Sequence, residues 1–108
     1  MSINLPKPIA AYFAAEKAGD AGALARCFAG DGVVHDEGGS FTGRAAIERW
    51  NATARAKYHH TVVPLGATER DGALVVIGRV SGQFPGSPVE LQHVFRLDGD
   101  KIASLEIL

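Results

Sequence analysis

The chain has 108 residues, of which 46% are apolar and 21% are charged, and its formal net charge is −1. This length fits one domain over residues 1–108 and is too short for two, and the apolar fraction suffices for one modest core. Lys and Arg are spread along the chain, so the electrostatic footprint of a nucleic-acid binder is missing. We therefore expect a single domain with no nucleic-acid partner.

The cysteine content and the N-terminal residues predict the cellular compartment. Cys27 is the only cysteine, so the chain cannot form an internal disulfide, and its apolar neighbours favour a buried thiol. Residues 1–20 lack the charged start and long apolar core of a signal peptide. No apolar stretch approaches the ~20 residues that a membrane span requires. These features predict a cytoplasmic protein that does not enter a membrane.

The first 30 residues predict a pair of helices. Residues 6–18 begin Pro-Lys-Pro and are rich in alanine, a pattern that favours a helix with proline in its first turn. On this helix, Tyr12 and Phe13 fall on the side expected to face the core. Asp20 is a suitable N-cap for a short second helix with the sequence AGALARCF, which Gly30 would end. The Gly-Asp corner between the two predicts a helical hairpin.

A short strand and a third helix are expected next. Residues 33–35 are β-prone, and the Gly38-Gly39 pair breaks the pattern. Thr42 is a suitable cap for a helix over residues 44–57, whose apolar positions form one stripe that includes Trp50.

From residue 58 onwards the apolar period becomes two, which is typical of strands. Turn sequences rich in glycine, proline and aspartate separate four predicted strands at residues 58–69, 73–84, 89–97 and 101–107. Gly66, Gly78 and Gly82 mark positions where these strands are expected to bend. Helices followed by hairpin-linked strands indicate an α+β fold with the helices packed on one face of an antiparallel sheet.

Three residues are candidates for chemistry. Asp36 ends the short strand beside glycines, where a carboxylate either reaches into a cavity as a general base or stays wet in a turn. Because His35 and Asp36 are neighbours on a strand, only one of them can face a cavity. His93 lies among apolar residues on one face of the third long strand, as a core histidine or as a proton relay. Tyr12 is either a packing residue or a donor to an oxyanion.

Aromatic residues are expected to fill the core or to line a ligand cavity beside these candidates: Phe13, Trp50, Tyr58, Phe84 and Phe95. The adjacent His59 and His60 alternate across a strand and are poor joint metal ligands. No zinc, dinucleotide, Walker or nucleophile-elbow motif occurs in the sequence. We therefore expect neither a metal nor a cofactor.

The run FAGDGVVHDEGGSFTGRAAIERW resembles the segment that characterises SnoaL-like proteins of the nuclear-transport-factor-two-like superfamily. The stretch VELQHVFRLDGDKIASLEIL is similar to their closing hairpin. The likeness covers essentially the whole chain and implies a cone-like α+β barrel, with the helices on the concave face of a strongly curved antiparallel sheet. It also implies a homodimer formed through the open face of the sheet, for which Val62, Val75 and Ile77 would supply apolar surface. The fold hosts cyclases, isomerases, dehydratases, epoxide hydrolases and binding modules, so it does not define the reaction.

Ketosteroid isomerases share this fold and offer a sharper comparison. Tyr12 stands eight residues before Asp20, as their first-helix tyrosine stands before the helix corner. Asp36 follows Val34 by two residues and matches their general base. His93 occupies the place of their second oxyanion donor, a protonated aspartic acid. The resemblance thus implies a pocket shared by Asp36 and His93, with chemistry closer to polyketide cyclases and dehydratases than to steroid isomerisation.

The leading hypothesis is an enzyme that moves a proton next to the carbonyl of a small apolar compound without a cofactor. Asp36 would remove the proton, while His93 and Tyr12 stabilise the enolate oxygen and return a proton. The alternative is a non-catalytic binding or dimerisation module, with Asp36 exposed and the cavity filled by aromatic side chains. A third reading is an epoxide hydrolase whose Asp-Arg-Asp relay includes Arg79.

Overall fold

The computed structural model describes residues 4–108. Within them the elements are α1 (Lys7–Ala18), α2 (Ala21–Arg26), β1 (Phe28–Asp36), β2 (Gly39–Thr42), α3 (Arg44–Tyr58), β3 (Thr61–Arg70), β4 (Ala73–Ser81), β5 (Val89–Asp98) and β6 (Lys101–Ile107). The strands form one open sheet in the order β2-β1-β6-β5-β4-β3. The predicted α+β class, with helices against a curved, cone-like sheet, is confirmed.

The sheet is mixed, because one of its strand pairs is parallel. The strands from β3 to β6 are joined as antiparallel hairpins, as the turn sequences predict. By contrast, β1 runs parallel to β6, with Val34 opposite Leu105. Parallel neighbours need a long connection, and here α3 and four strands lie between the two in sequence. This pairing places β1 inside the sheet, with β2 at the edge.

The helical hairpin forms as the local sequence predicts. α1 ends at Gly19, which takes the left-handed φ of 72°. The side chain of Asp20 then accepts a hydrogen bond from the backbone N–H of Ala23 at 2.9 Å, which is N-cap geometry for α2. Cys27 is a buried free thiol, as expected.

Several boundaries differ from the sequence-based prediction. α2 stops at Arg26, and its expected last turn is absorbed by β1, where Phe28 pairs with Ile102 of β6. The strand β2 was not predicted, because its residues read as a turn and a helix cap. α3 begins after Gly43 without a side-chain cap, so the capping role expected of Thr42 is wrong.

Two aromatic residues that were predicted to lie in strands lie outside them. Tyr58 is the last residue of α3, and Phe84 follows β4 in the connection to β5. The backbone N–H of Gln83 donates to the Tyr58 carbonyl at 2.6 Å, which ties this connection to the end of the helix. Gly82 permits the approach, since a Cβ there would lie 2.7 Å from the same carbonyl oxygen.

The core lies between the helices and the concave face of the sheet. Tyr12 from α1 is 2% exposed. Its ring packs edge to face against Phe13, Phe28 and Phe95, with centroids 5.1, 6.2 and 5.3 Å away. Such contacts add to the apolar burial that holds α1 on the sheet. Among the described residues, no helix combines the length and hydropathy needed to cross a membrane.

Two of the three apolar residues expected on the outer face of the sheet lie there, but Val75 is only 6% exposed and so adds little of the apolar surface expected of it. Val75 and Ile77 alternate with Val76, whose side chain faces the core. Val62 was also placed on this face, and that placement is wrong. It faces the concave side and borders the cavity described below.

Candidate active site

A cavity of about 210 Å³ lies between the helices and the concave face of the sheet. Its volume is below the roughly 300 Å³ at which sites for drug-sized ligands begin, so it suits a compact, single-ring compound. Much of the lining is apolar or aromatic, with Trp50, Tyr58, Val62, Phe84, Leu91 and Ile107 among the lining residues.

The three candidate catalytic residues border this one cavity from three different elements. Tyr12 comes from α1, Asp36 from the last position of β1, and His93 from the middle of β5. Strand alternation accounts for the choice between the neighbours in β1. Asp36 turns to the cavity, while His35 is exposed and places Nδ1 2.9 Å from the hydroxyl of Ser40.

Two of the aromatic residues expected to line the cavity lie elsewhere. Phe13 and Phe95 are 6% and 1% exposed and belong to the core. Their rings pack against each other at 5.8 Å, and Phe13 also contacts the ring of His93. Helical and strand periodicity indicated the correct face for both residues, but that face includes the core below the cavity as well as the cavity wall. The other three predicted aromatic residues, Trp50, Tyr58 and Phe84, do line it.

Asp36 is half-buried, and its carboxylate is held by a neutral donor. The indole Nε1 of Trp50 donates to Oδ2 at 3.1 Å. Burial raises the pKa of Asp36, the Trp50 hydrogen bond opposes that rise, and the nearby Glu37 carboxylate adds to it, leaving the pKa above its usual value. A carboxylate with a raised pKa is a stronger base when it is ionised.

Tyr12 is a hydrogen-bond donor at the cavity wall. Burial raises its pKa well above the ordinary value, and the negative charges of Glu16 and Asp36 raise it further. The phenol therefore stays protonated, which is the state in which it can donate to a developing oxyanion.

His93 is buried in its neutral form. Its Nδ1 lies 3.2 Å from the carbonyl oxygen of Leu91. Because a carbonyl only accepts, the geometry assigns the ring proton to Nδ1 and leaves Nε2 as an acceptor. Burial is the main reason that the pKa of His93 falls below its usual value. In this tautomer Nε2 is an acceptor, and a donor role of His93 toward an enolate oxygen requires the other tautomer or the protonated ring.

The pocket for this ring depends on Gly78 in β4. A Cβ at that position would lie 2.8 Å from Cε1 and 3.1 Å from Nδ1 of His93. The glycine expected to bend the strand thus provides the space in which the imidazole lies.

Sequence reasoning missed a polar group at the cavity, which we call the Glu16 cluster: Glu16, Asn51, Arg55 and His60. Of these, Glu16 and His60 line the cavity. The side chain of Glu16 is 2% exposed, and its Oε1 lies 3.2 Å from Arg55 and 3.1 Å from His60 Nε2. Its Oε2 accepts a hydrogen bond from Asn51 at 3.0 Å. Burial acts to raise the pKa of Glu16, but His60, Arg55 and Asn51 together outweigh it and hold that pKa below its usual value.

One signal for this cluster was present in the sequence. Glu16 continues the helical spacing of Tyr12 and Phe13, so a carboxylate falls on the buried face of α1 and needs a partner. Arg55 was placed outside the apolar stripe of α3, yet its guanidinium reaches back to Glu16 and also donates to the Glu16 carbonyl at 3.1 Å.

The relay expected of an epoxide hydrolase does not form through Arg79. This residue lies on the outer face of β4, where its half-exposed side chain is 3.9 Å from Glu90. It points away from the cavity because it alternates with Gly78 and Val80.

The fold and the cavity define a class: cone-shaped α+β proteins whose helices and curved sheet enclose a small ligand site. The family model for the SnoaL-like domain matches residues 9–105 of the chain. The chain therefore belongs to the SnoaL-like domain family. None of the curated proteins compared with it gives a significant match.

Solved structures extend the comparison. A protein of Sinorhizobium meliloti, proposed to be a polyketide cyclase, is 40% identical with a TM-score of 0.91, over 96% of this chain and 95% of that one. A Catenulispora acidiphila protein with a ketosteroid isomerase-like fold, solved with trimethylamine, is 25% identical with a TM-score of 0.84, over 97% and 86%. A nuclear-transport-factor-two-like protein of Cytophaga hutchinsonii, 13% identical with a TM-score of 0.78 over 100% and 91%, shows the fold alone.

Proposed function

We propose that the protein is an enzyme that moves a proton next to the carbonyl of a compact, largely apolar compound without a cofactor. The observation that carries the proposal is Asp36, a half-buried carboxylate with a raised pKa at the wall of an aromatic cavity. The protonated hydroxyl of Tyr12 borders the same cavity. A base and a neutral donor around a small apolar space are what enolisation requires.

In the proposed step, Asp36 takes a proton from the carbon next to the carbonyl. The electron pair of that C–H bond moves toward the carbonyl oxygen, where the Tyr12 hydroxyl donates a hydrogen bond to the enolate. Protonated Asp36 then returns the proton to the same or another carbon of the enolate. His93 serves as an acceptor through Nε2, so its part in the proposal is to relay a proton and not to stabilise the oxyanion.

The relatives support carbonyl chemistry and the cavity limits the size of the substrate. The Sinorhizobium meliloti protein is proposed to be a polyketide cyclase, and polyketides carry ketones. A volume of about 210 Å³ favours a single-ring compound over a multi-ring one.

A second candidate is a binding module that holds a small molecule without converting it. The Catenulispora acidiphila protein, solved with trimethylamine, favours this candidate. The binding-module hypothesis also expected an exposed Asp36 and a cavity filled by aromatic residues. Here the carboxylate is half-buried and the cavity is open, and this difference supports the catalytic proposal.

The test follows cyclohex-3-enone, a single-ring ketone whose double bond becomes conjugated after a proton next to the carbonyl is removed. We expect the protein to accelerate both this conversion and the exchange of that proton with solvent deuterium. Asp36→Asn should lower the rate by about 100-fold or more with an unchanged circular dichroism spectrum. Asp31→Asn, at an exposed position of the same strand, is the matched control. An Asp36→Asn variant as active as the wild type would exclude this mechanism.

Two further expectations belong to this proposal. We expect a homodimer formed through the outer face of the sheet, which light scattering after gel filtration would measure. We also expect the protein in the cytoplasm, which cell fractionation would test.

A further inference from the structure

Two of the hydrogen-bond donors at the wall of the cavity are already used within the protein. The indole of Trp50 donates to Asp36 at 3.1 Å, and the hydroxyl of Tyr58 donates to Glu37 at 3.0 Å. Both donors are neutral, so they orient the two carboxylates without cancelling their charge. The remaining lone pairs of Asp36 and Glu37 stay available to a ligand.

Buried groups add further hydrogen-bond acceptors to the lone pairs of these two carboxylates. His93 is 2% exposed, and its Nδ1 lies 3.2 Å from the Leu91 carbonyl, which favours the tautomer with the proton on Nδ1 and Nε2 as an acceptor. Tyr12 is a further neutral donor at the wall, and the His60 ring also lines it, with Nε2 3.1 Å from Glu16 and Nδ1 without a hydrogen-bond partner among the described residues. A ligand that satisfies this lining therefore brings donors or positive charge at one end and a single acceptor, such as a carbonyl oxygen, for Tyr12.

The carboxylates at the cavity also differ in their ion pairs. Among residues 4–108, the ion pairs with Arg or Lys involve Glu16, which Arg55 contacts, and Glu90, on the outer face of the sheet. Neither Asp36 nor Glu37 has such a partner within the described part of the chain. Arg55 thus offsets the negative charge of Glu16 at close range. Asp36 and Glu37 lack such a close partner, and the charges near them, His60 for Asp36 and Lys57 for Glu37, act only over longer distances.

The aromatic side chains near these carboxylates suit an organic cation. Trp50, Tyr58 and Phe84 line the cavity, and aromatic rings beside carboxylates are the surroundings in which proteins hold ammonium groups. The ring of Tyr58 already accommodates one such group, because the exposed ammonium of Lys57 lies 5.0 Å from its centroid.

We infer that the ligand of this cavity is a compact organic cation, a carbonyl compound that carries an ammonium group. The ammonium lies beside Asp36 and Glu37 among the aromatic rings, and the carbonyl oxygen accepts from Tyr12. The carbonyl part of this inference rests on the proposed function. The cationic part rests on the donors, acceptors and charges of the cavity wall.

A pair of isosteric ketones tests the inference. The N,N-dimethyl cation of piperidin-4-one and 4,4-dimethylcyclohexanone have the same ring, the same carbonyl and the same methyl groups, and differ in one permanent positive charge. Trp50 is the only tryptophan and lines the cavity, so its fluorescence reports binding of either compound at this site. We expect the cation to bind about tenfold or more tightly than the neutral ketone, with a preference that falls as salt is added.

Two variants separate site charge from general surface charge. Glu37→Gln should reduce the preference for the cation several-fold and leave the affinity for the neutral ketone unchanged. Glu48→Gln, at an exposed position of α3 outside the cavity lining, should leave both affinities unchanged. Equal affinity for the two ketones, or no measurable binding of the cation, overturns the inference.

Exchange of the protons next to the carbonyl, followed by NMR in deuterated water, separates this inference from the proposed function. Tight and selective binding of the cation without exchange means that the cavity selects ammonium compounds but does not enolise them. If the protons of both ketones exchange and the two ketones bind with equal affinity, the proposed function stands and the inference of a cationic ligand is wrong.

Discussion

Trp50 and Asp36 join α3 to the end of β1 through one hydrogen bond of 3.1 Å, from the indole Nε1 to Oδ2. The indole thereby fixes the direction of the carboxylate at the cavity wall. It also moderates the effect of burial, because a hydrogen bond to the ionised form lowers the pKa that burial raises. Burial and the Trp50 hydrogen bond are thus two opposing effects on the basicity of Asp36, and mutation can separate them.

Replacing Trp50 by phenylalanine removes the N–H donor and keeps an apolar ring. We expect the pKa of Asp36 to rise further above its usual value, because the ionised carboxylate loses a partner. Titration of the carbon-13 signal of the Asp36 carboxyl measures this directly. Tyr58→Phe is the matched control, since it removes the donor to Glu37 instead. A midpoint for Asp36 that is the same in Trp50→Phe and in wild type would contradict the prediction.

Asp36 should cost the folded protein stability near neutral pH. Folding raises the pKa of Asp36. The stabilisation from the protonated carboxyl is therefore fully present below its unfolded pKa of about 3.9, and it is lost as the pH rises through the folded pKa. Asp36→Asn removes this cost and still accepts from Trp50. We expect the variant to melt at a higher temperature than wild type near neutral pH, with a difference that shrinks in acid.

Melting curves over a pH series, read by circular dichroism, check this difference. Asp31→Asn, at an exposed position of the same strand, should follow the wild type at every pH. An Asp36→Asn variant that is less stable than wild type at neutral pH would show that the carboxylate is a net stabilising group.

Glu16 should have the opposite dependence on pH. Its pKa is lowered by folding, so its stabilisation is present above its unfolded value of about 4.3 and is lost as pH falls through the folded value. Glu16→Gln leaves Arg55 and His60 without their anion. We expect a loss of about 2 kcal/mol at neutral pH, less than for a fully buried pair because the side chain of Arg55 is 25% exposed.

Urea unfolding at neutral and acidic pH measures this loss. Glu48→Gln, at an exposed site of α3, should change stability little. If Glu16→Gln loses as much stability in acid as at neutral pH, the ionised carboxylate is not the source of the effect.

Gly78→Ala should displace the ring of His93 without removing any polar group. The new Cβ would lie 2.8 Å from Cε1 of His93 and 3.0 Å from Val62, so the ring has to move. Overpacking of this kind costs about 1–3 kcal/mol. Gly30→Ala is the matched control, since a Cβ there meets nothing within 4 Å. Histidine NMR shifts and urea unfolding check the result, and an unshifted His93 signal would contradict it.

Short-range periodicity predicted part of the site, because it sets side-chain direction. Helical spacing turns Tyr12 inward, and strand alternation places His93 among apolar residues. Alternation allows either His35 or Asp36 to face a cavity, and the pocket shared by Asp36 and His93 followed from the resemblance to ketosteroid isomerases. Depth is not encoded in periodicity. Phe13 and Phe95 also face inward, yet they pack in the core below the cavity. Whether an inward residue lines the cavity or fills the core depends on the distance between the helices and the sheet at that point.

The Glu16 cluster and β2 were missed for different physical reasons. Glu16 and Arg55 are 39 residues apart in sequence, so their pairing requires the docking of α1 against α3, which no local pattern records. The strand β2 has four residues with the sequence GSFT. Its pairing with β1 depends on the tight turn at Glu37 and Gly38, both of which have positive φ.

The parallel pairing of β1 with β6 also fixes the order in which the site is assembled. Asp36 ends a strand whose inner neighbour is the segment 101–107, made some seventy residues later on the ribosome. Until that segment emerges, β1 can pair only with β2, and the carboxylate has no completed sheet behind it. Contacts so distant in sequence slow folding. A nascent chain therefore carries Asp36 long before it has the cavity, and the proposed proton transfer requires that the last strand has docked.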